Sequence, residues 1–278
     1  MSASVAGLFV YPVKSCRGIA CQSAEVAVQG FAHDRAWMLV DPDESPMRFL
    51  TQRELPRLSL VRTTLDDDAL MLEAPDAPPM RIPFELVGPS VRAVVWRSTV
   101  DAFDQGDDVA RQLSASVGRR VRLVRFDMRT ERPCNPEFAG DTGANTQFAD
   151  GYPILVLGTA SLAELNRRLA LAGESPVPMN RFRPNLVIDG LEAHDEDHLA
   201  ALRIGDVELR LVKPCTRCQI TTTDQDTAAV GRQPLAVLGS YRNDSRFDGV
   251  TFGMNAIVTR GAGRTIALGD EISLDWRF

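Results

Sequence analysis

No apolar run in this chain approaches the ~18 residues that would cross a bilayer as a helix. The opening stretch, MSASVAGLFVYPVKS, has neither the basic start nor the long apolar core of a secretory signal. A cytoplasmic protein without a membrane partner is the expectation. A basic excess is missing too: 31 Lys and Arg stand against 37 Asp and Glu, a formal net charge of −6. That argues against nucleic acid as a partner, although a local basic cluster could still hold a small phosphate. Cysteine is scarce, and five of them, an odd number in a long chain, suit reduced thiols better than a disulfide framework. Histidine is scarcer, with His33, His194 and His198 alone. There is no internal repeat, no low-complexity tract and no regular alternation of strand with long helix, so a doubly wound parallel sheet is a poor fit.

What is present reads as β structure. The first half carries short apolar and β-branched runs, VAGLFVYPVKS, AEVAV, AWMLVD, LSLVRTTL, ALMLEA and VRAVVW, separated by Gly, Pro and Asp. The stretches Asp66 to Asp68 and Asp76 to Pro79 suit hairpin turns and loops. Three helices are predicted. DDVARQLSASVG has Val109 and Leu113 on one face and Gly118 at its end. SLAELNRRLALAG shows a capping-box pattern at Ser161 and Glu164, with Leu162, Leu165 and Leu169 along one face. QPLAVLGSYR is shorter. Strands resume at VRLVRF, YPILVLG, NLVIDG, VELRLVKP, NAIVTR and DEISL. The fold class is therefore mainly β with a few helices (α+β). The long polar stretch from Arg129 to Gly151 has the length of a functional loop, and the domain boundary falls near residue 120, separating 1–120 from 121–278.

Four polar clusters carry candidate chemistry. In LVKPCTRCQITTTDQDT, Cys215 and Cys218 lie three apart with Arg217 between them. One such pair is half of a structural zinc site; His194 and His198 could complete it by count, though EAHDEDHLAAL is an acidic setting that reads as exposed. A redox pair would want a βαβ context. Two inert buried thiols, or one thiolate ligating a cofactor-borne metal beside Arg217, stay open. YPVKSCRG offers Lys14, Ser15 and Arg17 as donors at a strand end, either a cradle for phosphate or a polar heterocycle, or an ordinary basic turn. In MNRFRPNLVIDG, Arg181, Arg183 and Asn185 alternate, so an extended segment would turn all three to one face. There they could clamp a phosphate or carboxylate, or simply meet solvent. FAHDRAWMLVD opens an apolar strand with Arg35 beside Asp34, where an ordinary surface ion pair is the plainer reading.

Taken together, YPVKSCRG, HDRAWMLVD, FLTQRELPRL, FADGYPILVLGTASLAELN, RFRPNLVIDG and CTRCQITTTDQDT resemble the MOSC-domain proteins with an N-terminal MOSC β-barrel domain. The similarity is to the branch that contains the mitochondrial amidoxime-reducing component and its bacterial relatives. The resemblance implies an N-terminal β-barrel-like domain followed by a MOSC β-barrel domain, and a molybdenum cofactor (Mo-molybdopterin). It makes Cys218 the catalytic thiolate and metal ligand, with Cys215 only a neighbour; a soft thiolate suits a metal–sulfur centre. It assigns pterin and phosphate contacts to Lys14, Ser15, Arg35, Arg183 and Asn185, with Asp150, Gly151 and Tyr152 bordering the cofactor. The implied reaction is reduction of a small-molecule N-hydroxylated substrate (hydroxylamine, amidoxime or N-hydroxylated base) to its N–H product. Asp224 and Asp226 then stand as proton donors or as plain turn carboxylates. Some bacterial relatives carry a C-terminal ferredoxin-like domain with a plant-type cysteine cluster. No such cluster follows here, so a separate electron-transfer protein, of ferredoxin or flavoprotein type, is the expected partner. The same family also admits a sulfur carrier or a protein that binds and transfers the cofactor.

Overall fold

Strand-forming runs punctuated by turn residues close into two barrels. In the computed structural model of the chain, which describes residues 2–277, the larger barrel has seven strands. Their order around the barrel is Ile154–Gly158, Leu186–Asp189, Ala3–Val10, Glu271–Trp276, Leu199–Ile204, Val207–Thr216 and Gly249–Arg260, and the last pairs back onto the first. The smaller has five: Ser90–Val95, Ser98–Asp104, Arg122–Phe126, Trp37–Asp41 and Met47–Phe49. It closes by a parallel pairing of Met47–Phe49 with Ser90–Val95. Closure removes the unpaired edges that an open sheet exposes. Two three-stranded sheets flank the barrels, one of them the meander Arg62–Leu65, Ala69–Glu73 and Met80–Pro83, whose connections are the two acidic turns expected at Asp66 and Asp76. Four α-helices complete the described residues, and none is long and apolar enough to cross a membrane.

The first strand is built into the barrel of the second half. Ala3–Val10 pairs with Leu186–Asp189 on one side and Glu271–Trp276 on the other. The chain then crosses to the small barrel through Tyr11–Ser15, which is zipped to it: Lys14 N–H donates to Trp37 O and Trp37 N–H donates to Pro12 O. Lys14 and Ser15 are thereby held at the junction. Strand Trp37–Asp41 is buried along its whole length, because period-2 alternation sends its residues to two different cores. Met38 and Val40 face the barrel interior with Val100, Val124 and Phe126. Trp37 and Leu39 pack outward against Leu58, Leu70, Ile82 and Leu113. This explains an uninterrupted apolar run in an otherwise half-polar sheet.

Helix Asp107–Val117 ends as its sequence requires, with Gly118 in the left-handed conformation (φ +75°). Helix Thr159–Leu171 differs from expectation. It starts two residues before Ser161, and no capping box forms. Ser161 Oγ donates instead to Glu196 Oε2 at 2.7 Å, while Gly158 N–H at the helix start donates to Glu196 Oε1 at 3.2 Å. Glu196 is fully buried, and a buried carboxylate needs donors more than a surface cap needs closing. LSLVRTTL is likewise shorter as a strand than expected: Pro56 opens a 3-10 turn over Pro56–Leu60, and only Arg62–Leu65 pairs.

Candidate functional site

One cavity is fronted by both barrels. It gathers Lys14 and Ser15 from the crossing segment and Arg35 and Thr51 from the small-barrel side. The segment 149–152, Phe182 to Asn185 in part, Cys215 to Cys218, and Asn255 come from the large-barrel side. All eight residues singled out from the sequence, Lys14, Ser15, Arg35, Gly151, Tyr152, Arg183, Asn185 and Cys218, line it.

Asn185 is the keystone of one wall. It lies just before strand Leu186–Asp189 and is almost fully buried. Its Oδ1 accepts from Arg35 Nη1 at 2.8 Å and from Leu155 N–H at 3.2 Å; its Nδ2 donates to Phe9 O and to Asp34 Oδ1. Asp34 in turn accepts from Tyr11 N–H and pairs with Arg35 at 2.5 Å. Burial raises the Asp34 carboxyl above its usual range, and Arg35, Tyr11 N–H and Asn185 oppose that rise. The guanidinium groups of Arg35 and Arg183 each lie 4.3 Å from the Tyr11 ring centroid, and burial lowers the Arg183 guanidinium to about 10, still charged at neutral pH. Ser15, Arg35 and Arg183 all have left-handed backbones, with φ of +68°, +49° and +55°. Non-glycine residues rarely accept this, and where they do the surrounding structure enforces it, most often at ligand sites.

The loop 147–150, whose Ala149 and Asp150 line the cavity, has all its carbonyls engaged. Buried Arg132 donates to the carbonyls of Gln147, Ala149 and Asp150, and Lys14 Nζ donates to Phe148 O at 2.7 Å. Lys14 also pairs with Asp150 Oδ1 at 2.5 Å. Burial lowers Lys14, despite Asp150. Burial would raise Asp150, but Lys14, Trp96 and Arg53 outweigh it and hold the carboxyl well below its usual range. The outcome differs because Asp150 has three partners that favour its charged form, Lys14, Trp96 Nε1–H and Arg53, whereas Lys14 has Asp150 alone against burial and the nearby charges of Arg132 and Arg35.

The two thiols are not equivalent. Arg217 Nη1 donates to Cys215 Sγ at 3.0 Å, whereas Cys218 Sγ receives Arg53 Nη2 at 3.0 Å. The sequence reading placed Arg217 beside the reactive thiol; the structure gives that place to Arg53, from FLTQRELPRL, whose role no local pattern marked. Other residues fall outside the cavity. Arg181 does not share a face with Arg183 and Asn185, because Met179–Arg181 forms a 3-10 turn and Arg183 is left-handed. It pairs with Asp224 Oδ2 at 2.7 Å. Arg17 bonds Asp226. Asp224 Oδ1 accepts from Asp226 N–H, Thr227 N–H and the Thr227 hydroxyl, so it shapes its own turn. His194 packs against Tyr241 and Phe252, and no three His, Cys, Asp or Glu side chains gather into a metal-binding group among the described residues.

The cavity is cationic in an acidic protein. Among the described residues lining it, Lys14, Arg35, Arg183 and Arg217 face Asp150 as the sole carboxylate. Tyr152 Oη is buried without a partner, and a Cβ built on Gly151 would meet no atom within 4 Å, so this wall keeps both an unused donor and open room. Clustered guanidinium and ammonium donors suit a phosphate, and a sulfur with a cationic neighbour suits a soft metal. The residues present thus fit a cofactor bearing both.

Residues 2–120 match the MOSC N-terminal beta barrel domain and residues 144–273 the MOSC domain. Rat mitochondrial amidoxime reducing component 2 is 37% identical over 253 residues, spanning 86% of this chain and 72% of the relative. Human mitochondrial amidoxime-reducing component 1 is 34% identical over 288 residues, spanning 98% and 82%. A molybdenum cofactor sulfurase from rice is 30% identical over 294 residues, spanning 95% of this chain but 35% of that protein.

Proposed function

The chain belongs to the MOSC-domain proteins with an N-terminal MOSC β-barrel, and from that premise we propose that it is a molybdenum-cofactor-dependent reductase of N-hydroxylated compounds. Relatives named for amidoxime reduction and for molybdenum cofactor sulfuration support a reductase associated with that cofactor. The observation that carries the reading is a single cavity lined by Cys218, Lys14, Arg35, Arg183 and Asn185.

In this reading Cys218 would ligate the metal, and Lys14, Ser15, Arg35, Arg183 and Asn185 would hold the pterin and its phosphate. When bound, the molybdenum cofactor supplies the two-electron chemistry that removes oxygen from nitrogen. The balance is R–NH–OH with two electrons and two protons giving R–NH₂ and water, and a separate donor protein of ferredoxin or flavoprotein type supplies the electrons. The protein's own work is electrostatic and geometric. Arg53 holds the Cys218 sulfur, and the Asp34–Arg35–Asn185 network fixes one cationic arm. Arg132 and Lys14 fix the loop that forms the facing wall. Because these groups are locked before ligand arrives, little reorganisation is needed on binding.

The test is molybdenum and pterin content of protein made in a host that loads molybdoenzymes, alongside benzamidoxime reduction with a chemical electron donor. Near-stoichiometric cofactor with turnover, and loss of both metal and turnover in Cys218→Ser, is expected. A persulfide on Cys218 without reductase activity would replace this reading with sulfur transfer.

A further inference from the structure

Trp96 sits where its local backbone calls for a different residue. Strands Ser90–Val95 and Ser98–Asp104 pair through Val95 and Ser98, which leaves Trp96 and Arg97 as a two-residue turn. Such turns need left-handed backbone and are ordinarily made by Gly, Asn or Asp. Trp96 accepts that conformation at φ +55°. A bulky residue held there stores strain, and strain of this kind concentrates at ligand clamps and active sites.

Trp96 is 44% exposed and yet its indole is pinned on several sides. Its Nε1–H donates to Asp150 Oδ1 at 3.0 Å. The Arg53 guanidinium lies 4.8 Å from its ring centroid, and the Phe49 ring 5.1 Å away. Two of these partners belong to the candidate site: Asp150 lines the cavity, and Arg53 donates to the Cys218 sulfur. A flat apolar surface is therefore clamped at the rim of a cationic cavity, one side chain removed from the sulfur. Its rotamer freedom is already spent, which is what a preorganised stacking surface requires.

Building on the reductase reading above, we propose that Trp96 is the specificity-determining platform of the site. It stacks the ring of an aromatic N-hydroxylated substrate and so directs the N–OH group into the cavity. The favoured class is planar and π-conjugated, aryl amidoximes and N-hydroxylated heterocycles, over hydroxylamines that have no ring.

The holoenzyme and its Trp96→Leu and Trp96→Phe variants are assayed with benzamidoxime and with hydroxylamine, using a chemical electron donor. Trp96→Leu is expected to raise KM for benzamidoxime about tenfold while moving hydroxylamine by less than about twofold. Trp96→Phe keeps a ring but loses the N–H to Asp150, and should stay within about threefold of the parent protein on both substrates. An equal shift on both substrates in Trp96→Leu, or no shift on either, overturns the proposal. A second measurement needs no turnover. Trp37 is fully buried and Trp276 is 39% exposed, so the measurement is made in a Trp276→Phe background, where saturable fluorescence quenching by benzamidoxime is expected with Trp96 present and lost when Trp96→Phe is added. Quenching that persists in the double variant, or is absent from the Trp276→Phe background, overturns the platform. Quenching at Trp96 with neither substrate reduced supports the platform and overturns the reductase reading instead.

Discussion

Arg53 Nη2 donates to Cys218 Sγ at 3.0 Å across 165 residues of sequence, so the small-barrel half of the chain holds the sulfur that the MOSC half presents. A ligand's orientation depends on such outer partners, and their loss commonly costs tenfold to a hundredfold in metal affinity. On the proposed cofactor reading, Arg53→Ala should reduce molybdenum retention by on the order of tenfold in affinity, measured by metal content after graded chelator dialysis, with the far-UV circular dichroism unchanged. Full retention would show that the contact is incidental.

Arg132 holds three carbonyls of the loop that leads into the cavity wall, those of Gln147, Ala149 and Asp150, and is itself buried. Arg132→Ala strips all three acceptors of their donor and should cost about 3 kcal/mol in urea unfolding. Arg132→Lys should recover only part of this, because an ammonium lacks the planar fork that serves several carbonyls at once.

Asp224 makes a direct test of turn shaping against proton donation. Burial alone would raise its carboxyl, but the Asp226 N–H, the Thr227 N–H and hydroxyl, and Arg181 outweigh that and hold it below its ordinary value of 3.8. A carboxyl lowered in the folded state adds stability above its ordinary value, and that contribution is lost as pH falls through the lower one. Asp224→Asn should flatten the acid limb of the stability curve and cost about 1 kcal/mol at neutral pH. The pH profile of kcat should keep its shape; loss of its acidic-group limb would make Asp224 a proton donor after all.

Among the described residues all five cysteines are free, but they should differ in reactivity. Burial pushes the Cys16 thiol up from 9.0 to about 12, with Arg183 opposing, and Cys134 to about 11, with Arg132 opposing. Both should resist iodoacetamide at pH 8 in the folded cofactor-free protein, while the part-exposed Cys215 and Cys218 are modified, as read by peptide mass mapping. A thiol raised on folding stabilises the folded state below its ordinary value, and that contribution is lost as pH climbs toward the raised one. Cys16→Ala should accordingly soften the alkaline decline of stability between pH 9.0 and about 12.

The residues that line the cavity were readable as a set only through the family resemblance, since each motif by itself had an equally good plain reading. KS in YPVKSCRG, the arginine of HDRAW, Arg183 and Asn185 of RFRPNLVIDG and the second cysteine of CTRC each sit in a short motif, and each lines the cavity. Arg181 misled because alternation assumes an extended strand, and a 3-10 turn intervenes. Ser161 and Glu164 misled because a buried carboxylate from elsewhere, Glu196, claimed the serine. Arg53 and Trp96 went unmarked because their partners lie far away in sequence, Cys218 for Arg53 and Asp150 for Trp96, and Arg132 because its partners are backbone carbonyls, which carry no sequence signal.

By itself the sequence determined the β-rich architecture, the three longer helices and the chemical kind of the site, because turn residues, hydrophobic period and donor-rich motifs act over a few neighbours. Tertiary structure decided which donors converge, which of two thiols meets Arg53, and that Trp96 meets Asp150. Those outcomes depend on closing two barrels and on running the first strand through the second one. Barrel closure sets distances between residues more than a hundred positions apart, and no local pattern carries that information.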